Sequence, residues 1–154
     1  GVLEVANSIK FEVDRFQNVA LPALEKEYRN VWGLEYSVNV MDPVEICAEK
    51  IRACNDRFRY RDFYDLYMMI KELKIEFNSA LKLLERKEIR NNISKERFLR
   101  NLKLALNEVD VSGDTVEYKK AVNQSELKDF FENLTIPNLK SNVSSKIVLK
   151  EPVK

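Results

Sequence analysis

The chain has 154 residues, with 26 Lys and Arg against 25 Asp and Glu, for a formal net charge of +1. That length holds one domain with a real core rather than two independent ones, and the near-neutral balance excludes a blanket attraction to nucleic acid, leaving only local patches for a polyanion. There is no histidine, which removes Ser-His and Cys-His nucleophile pairs, His-ligated zinc and a His general base; chemistry must come from carboxylates, Lys, Arg and Tyr, with a hard metal ion.

Residues 2–5 and 9–14 alternate in strand fashion around Asn7-Ser8, with Ile9, Phe11 and Val13 on one face and Lys10, Glu12 and Asp14 on the other. Pro22 is expected to open a short helix up to about Arg29, and Leu34 to Val40 reads as a further strand. Asp42, Pro43 and Glu45 form a helix start: an N-cap acid, a proline at the first helical position and an acid in the first turn. Val44, Cys47, Ile51, Cys54 and Phe58 then recur at helical spacing.

A second helix is predicted from about Arg61 to Leu73, with a stripe of Phe63, Leu66, Tyr67, Ile70 and Leu73. Asn78 is expected to cap a third helix through about Arg90. Ser94, with Arg97 at the capping-box position, opens a fourth to about Glu108. A turn is expected at 112–114, a last helix from Ser125 to Leu134, and an edge strand or frayed end at 146–149. Phe130 and Phe131 read as core. The fold class is therefore α+β: a short β portion over residues 1–41, then a helical bundle over 42–154, as one compact unit. Two or three strands are few for a core of their own, so the β portion is expected to be part of a larger sheet.

Cys47 and Cys54 lie about two helical turns apart, beyond disulfide reach, and read as small buried apolar residues in a reducing compartment, the cytoplasm. No run approaches the roughly 18 apolar residues of a membrane span. The N-terminus shows no basic region followed by an apolar block, so no secretory signal is expected.

Charge concentrates between residues 48 and 70. Lys50 flanks the apolar stripe of its helix, where a lysine lays its methylenes on the core and projects its ammonium from the rim. Asp62 and Asp65, three apart, share a face at the start of the next helix and suit the positive end of its dipole. On pattern alone these acids cap the helix and pair with Arg57 or Arg59; the alternative is a polyphosphate or metal site.

The block Val44-Glu45, Ala48-Glu49-Lys50, Arg57, Arg61-Asp62 and Asp65-Leu66-Tyr67 resembles the AbiEii/AbiGii-type nucleotidyltransferase toxins, which include the MenT-like enzymes of toxin–antitoxin and phage-defence systems. The strand from Ile9 to Val13 resembles the family strand that carries a third carboxylate. The resemblance implies a nucleotidyltransferase-type sheet, Mg²⁺ and a nucleoside triphosphate donor. On it Lys50 is the triphosphate cation, with Arg57, Arg61 and Lys10 as further phosphate contacts. Glu12 is the third metal acid, beside Asp14; Asp65 orients Lys50 or an acceptor, and Asp62 with Arg61 locks the two helices.

The family's front signature, a Gly-Gly or Gly-Ser turn with a following Asp-x-Asp or Asp-x-Glu, is nowhere in this sequence, whose glycines are Gly1, Gly33 and Gly113. The chain is therefore expected to be the C-terminal part of such an enzyme and not to transfer nucleotides alone.

Outside that block, Tyr28, Trp32 and Tyr36 with Arg29 read either as a base-stacking cluster or as packing under a loop. Lys82, Arg86, Lys87, Arg90, Lys95, Arg97, Arg100 and Lys103 read either as a contact for an RNA acceptor such as a tRNA or as a charged solvent face. An antitoxin is an implied partner, and an unpaired N-terminal strand would invite a dimer. The rival functional class is a non-enzymatic helical module that binds protein or RNA through residues 82–103, with residues 1–40 as a docking hairpin.

Overall fold

A computed structural model describes residues 18–87, 89–107 and 122–142. The strands expected at 2–5 and 9–14, the turn at 112–114 and the edge strand at 146–149 lie outside the described residues. So do Lys10, Glu12 and Asp14.

The described chain runs β1 (Leu24–Arg29), β2 (Glu35–Val40), α1 (Pro43–Asp56), α2 (Tyr60–Lys71), α3 (Phe77–Leu84), α4 (Lys95–Asn107) and α5 (Gln124–Asn133). It is the α+β order predicted above. The segment expected to be helical from Pro22 is instead a strand, paired antiparallel with β2 so that Leu24 faces Val40 and Arg29 faces Glu35. Its residues are good helix formers, with Leu24 and Tyr28 four apart, but a full ladder opposite outweighs local propensity.

The intervening turn fixes the register. Asn30 Oδ1 accepts hydrogen bonds from the backbone N–H of Trp32 (3.0 Å) and Leu34 (2.9 Å). Gly33 closes the turn at φ +80°, a conformation that favours glycine.

Asp42 caps α1 as predicted, its Oδ1 accepting from Val44 N at 2.7 Å, with Pro43 at the first helical position. α1 is the centre of the helical body; α2, α3 and α4 pack on it, and α5 closes against α2 and α4. Cys47, Ala48, Ile51 and Cys54 are buried on α1, and both cysteines are free. Phe58, expected to extend that stripe, follows the helix end and is exposed, as is Leu73 beyond α2.

The deepest layer is aromatic. Phe63 of α2, Phe98 of α4 and Phe131 of α5 are fully buried, with Phe63 edge-on to Phe98 at 5.2 Å and to Phe131 at 5.7 Å between centroids. Each stabilises the fold by roughly 1.5–3 kcal/mol through burial. Phe130 packs half-buried beside them.

α3 is shorter than the helix expected between Asn78 and Arg90. It begins after Glu76 and ends at Leu84, where the last turn tightens through Arg86 N to Leu83 O and Lys87 N to Leu84 O, both 3.0 Å. Asn142 then supplies the partners a longer helix would have provided. Its Oδ1 accepts from Ile89 N (2.6 Å) and its Nδ2 donates to Lys87 O (2.7 Å). An antiparallel bridge between Ile93 and Leu139 continues that clasp. α4 opens on Ser94, whose Oγ accepts from Arg97 N at 3.2 Å.

Candidate functional site

α1 and α2 are consecutive helices in contact, joined by residues 57–59. That places Lys50 and Arg57 opposite the first two turns of α2. Asp62 stands at the centre of the seam and is 0% exposed. Arg57 grips it with two donors, Nε to Oδ2 at 2.7 Å and Nη2 to Oδ1 at 3.1 Å. Lys50 Nζ lies 3.3 Å from Asp62 Oδ1 and 2.6 Å from Asp65 Oδ2. The lysine side chain is 25% exposed, so the ammonium does sit at the rim.

Burial alone would raise the Asp62 pKa. The Arg57 hydrogen bond, with the charges of Arg57 and Lys50, overrides it and holds the carboxyl below its ordinary value. Burial likewise works against the Lys50 charge, but the hydrogen bonds and charges of Asp65 and Asp62 together outweigh it, so its pKa is raised. The cluster is two ion pairs at working pH, with no net charge.

Of the residues singled out in the sequence, the structure brings together Lys50, Arg57, Asp62 and Asp65. Arg61 is exposed on the first turn of α2, and the guanidinium that joins Asp62 across the helices is that of Arg57. The lock expected of Arg61 is made instead by Arg57, which is itself 47% exposed yet reaches the buried Asp62.

Among the described residues, no group of three His, Cys, Asp or Glu side chains is arranged to hold a metal ion. Asp62 and Asp65 do not form a cation site, since Asp62 spends both oxygens on Arg57 and Lys50, and Asp65 is paired to Lys50 through Oδ2. The cysteines offer no alternative: burial pushes the Cys47 thiol up to about 11 and raises that of Cys54 as well.

A second polar seam was not legible in the sequence. Glu45 is fully buried; its carboxylate accepts from Ala20 N (2.9 Å) and Leu21 N (2.7 Å) and from the Lys87 ammonium. Glu49 Oε1 lies 2.8 Å from the same ammonium, off the hydrogen-bonding direction, so that contact is Coulombic. Burial would raise the Glu45 pKa, but Lys87 and the two backbone N–H groups lower it on balance.

Lys87 is thus 2% exposed and belongs to the interior, not to a basic surface. Arg97 donates from Nε to Asn55 O (2.9 Å), and Lys95 Nζ to Glu132 O (2.7 Å). What remains outward of the basic run is Lys82, Arg86, Arg90, Arg100 and Lys103.

The aromatic cluster resolves the other way. Tyr28 and Tyr36 form a cross-strand pair with centroids 5.2 Å apart, both about half exposed, and Trp32 at the turn is 82% exposed. Among the described residues no loop covers them.

No described helix is long and apolar enough to cross a membrane. The family model for "Nucleotidyl transferase AbiEii toxin, Type IV TA system" matches residues 4–144. No curated protein and no solved structure matches the chain.

Proposed function

We propose that this chain, which belongs to the AbiEii nucleotidyl transferase toxin family, presents Lys50 as the cation that receives a nucleoside triphosphate. The observation that supports this is the Lys50 ammonium, held at a solvent-facing rim by Asp65 and by the buried, Arg57-bound Asp62. Nucleotidyl transfer leaves charge on the departing pyrophosphate, and a fixed ammonium offsets that charge without reorganising. Arg57 serves by holding Asp62; Arg61, exposed nearby in sequence, and Lys10 complete the phosphate-binding set. Glu12 and Asp14 are the carboxylates we assign to Mg²⁺.

Membership of a toxin–antitoxin family makes an antitoxin the implied partner. The acceptor we favour is an RNA, approached through the exposed Lys82, Arg86, Arg90, Arg100 and Lys103. A cytoplasmic setting fits both. Because the sequence holds no Gly-Ser or Gly-Gly turn with Asp-x-Asp, residues 1–154 are expected to bind triphosphate without transferring it.

The test is titration of the chain with each of the four ribonucleoside triphosphates. Lys50→Ala is expected to weaken binding about tenfold or more in a chain that still folds, checked by circular dichroism. Equal affinity in the variant would remove the assignment.

The exposure of Tyr28, Tyr36 and Trp32 favours a second reading, a binding module that docks protein or RNA through the hairpin. Triphosphate binding that is absent, together with RNA binding lost on Trp32→Ala, would select it. A dimer through unpaired strand edges belongs to the same reading.

A further inference from the structure

The two aspartates beside Lys50 are not equivalent. Asp62 is fully buried and shared between two cations, with both oxygens bound to Arg57 and one of them to Lys50 as well. Withdrawing it from the seam would strand a guanidinium and an ammonium together. Among the described residues Asp65 touches one cation only, and it is 36% exposed, so its carboxylate can turn to water with little loss. The Lys50 side chain is itself partly open to solvent on this rim.

Charge makes the difference consequential. Lys50, Arg57, Asp62 and Asp65 sum to zero, so a polyanion gains no net attraction while both carboxylates stay. If Asp65 leaves, the cluster carries +1, centred on the ammonium. An ammonium has three N–H donors, and Asp62 keeps one of them aimed while the others become available.

We propose that Asp62 is the positioning residue for Lys50, and that Asp65 is its exchangeable counterion, displaced by the incoming polyphosphate. This rests on the reading of Lys50 as a phosphate-binding cation. The ligand class is a linear polyphosphate, carried by a nucleotide or free. Arg57 acts through Asp62, keeping that carboxylate ionised and fixed while Asp65 moves.

The probe is inorganic tripolyphosphate, titrated calorimetrically into the whole chain. Asp65→Asn is expected to tighten binding about tenfold, because it removes the competing charge and leaves the Asp62 support. Asp62→Asn is expected to weaken binding about tenfold. Unchanged or weaker binding in Asp65→Asn overturns the exchange, and unchanged binding in Asp62→Asn overturns the positioning role. Lys50→Ala separates this from the reading beneath it: if that variant binds as well as the parent, the Lys50 assignment itself goes.

A measurement on the unsubstituted chain guards against variants that fold poorly. By NMR, the Lys50 ammonium signal is expected to shift on adding tripolyphosphate, while the Arg57 Nε–H signal, which reports the Asp62 bond, stays. Movement of both signals together, or of neither, contradicts the proposal.

Discussion

The Lys87 ammonium is buried against the Glu45 carboxylate, although 42 positions separate them in sequence. The pair joins the turn after α3 to the first turn of α1, and through Ala20 and Leu21 to the segment that enters the hairpin. Lys87→Met leaves a buried carboxylate with backbone donors only and is expected to cost about 3–5 kcal/mol. Adding Glu45→Gln should recover part of that loss, because the amide needs no counter-charge and still accepts from a backbone N–H. Urea denaturation of the two single variants and the double variant measures the coupling; additive losses would show that the pair contributes nothing as a pair.

The acid limb of the stability profile follows from the same carboxylates. Asp62 and Glu45 both have pKa values lowered by folding. Their contributions are therefore complete above the unfolded values, about 4, and are lost as pH falls through the lowered folded ones. Lys50, whose pKa is raised, contributes fully below about 10.4 and loses that contribution as pH climbs through its folded value. Thermal melts should therefore show a plateau between about pH 5 and pH 9. Asp62→Asn should flatten the acid slope, and an acid slope identical to the parent's would contradict the assignment.

The close of α2 stores a local strain. Lys74 sits at φ 56° while Ile75 N bonds Met69 O at 3.0 Å, the closing pattern that usually carries glycine. Lys74→Gly is expected to be near neutral to about 1 kcal/mol stabilising, with relief of the left-handed penalty partly offset by the freer unfolded chain. Lys74→Val should destabilise by about 1 kcal/mol or more, since a β-branched residue tolerates that region worse. Chemical denaturation of both variants checks the order.

Asn101 makes a prediction about α1. Its Nδ2 donates to Cys54 O (3.1 Å) and Asn55 O (2.7 Å), and Arg97 adds a donor to Asn55 O. These bonds satisfy carbonyls at the helix end that would otherwise be buried unpaired. Asn101→Leu is expected to cost about 1–3 kcal/mol and to raise hydrogen exchange over the last turn of α1. Full retention of stability would mean water replaces the amide.

How far the sequence carried each of these features depended on the range of the interaction. Caps are local, so Asp42 and Ser94 marked their helices, and the Lys50, Asp62 and Asp65 cluster followed from spacing on consecutive helices plus a family resemblance. β1 was misread because Leu24 to Arg29 favours helix locally, while the ladder that overrides it comes from residues 35–40. Lys87 and Arg97 looked like surface cations because their partners, Glu45 and the carbonyl of Asn55, are some forty residues away. Nothing near them in sequence marks the burial. Arg57 rather than Arg61 clasps Asp62, and the spacing of charges in the sequence does not separate the two.

The central claim is that Lys50 is a polyphosphate-binding cation, and a crystal structure of the chain soaked in tripolyphosphate tests it most directly. The account predicts anion oxygens within hydrogen-bonding distance of Lys50 Nζ, with Asp65 turned away and Asp62 still on Arg57. An anion bound instead at Lys82 and Arg86, with the Lys50–Asp65 contact intact, would contradict it.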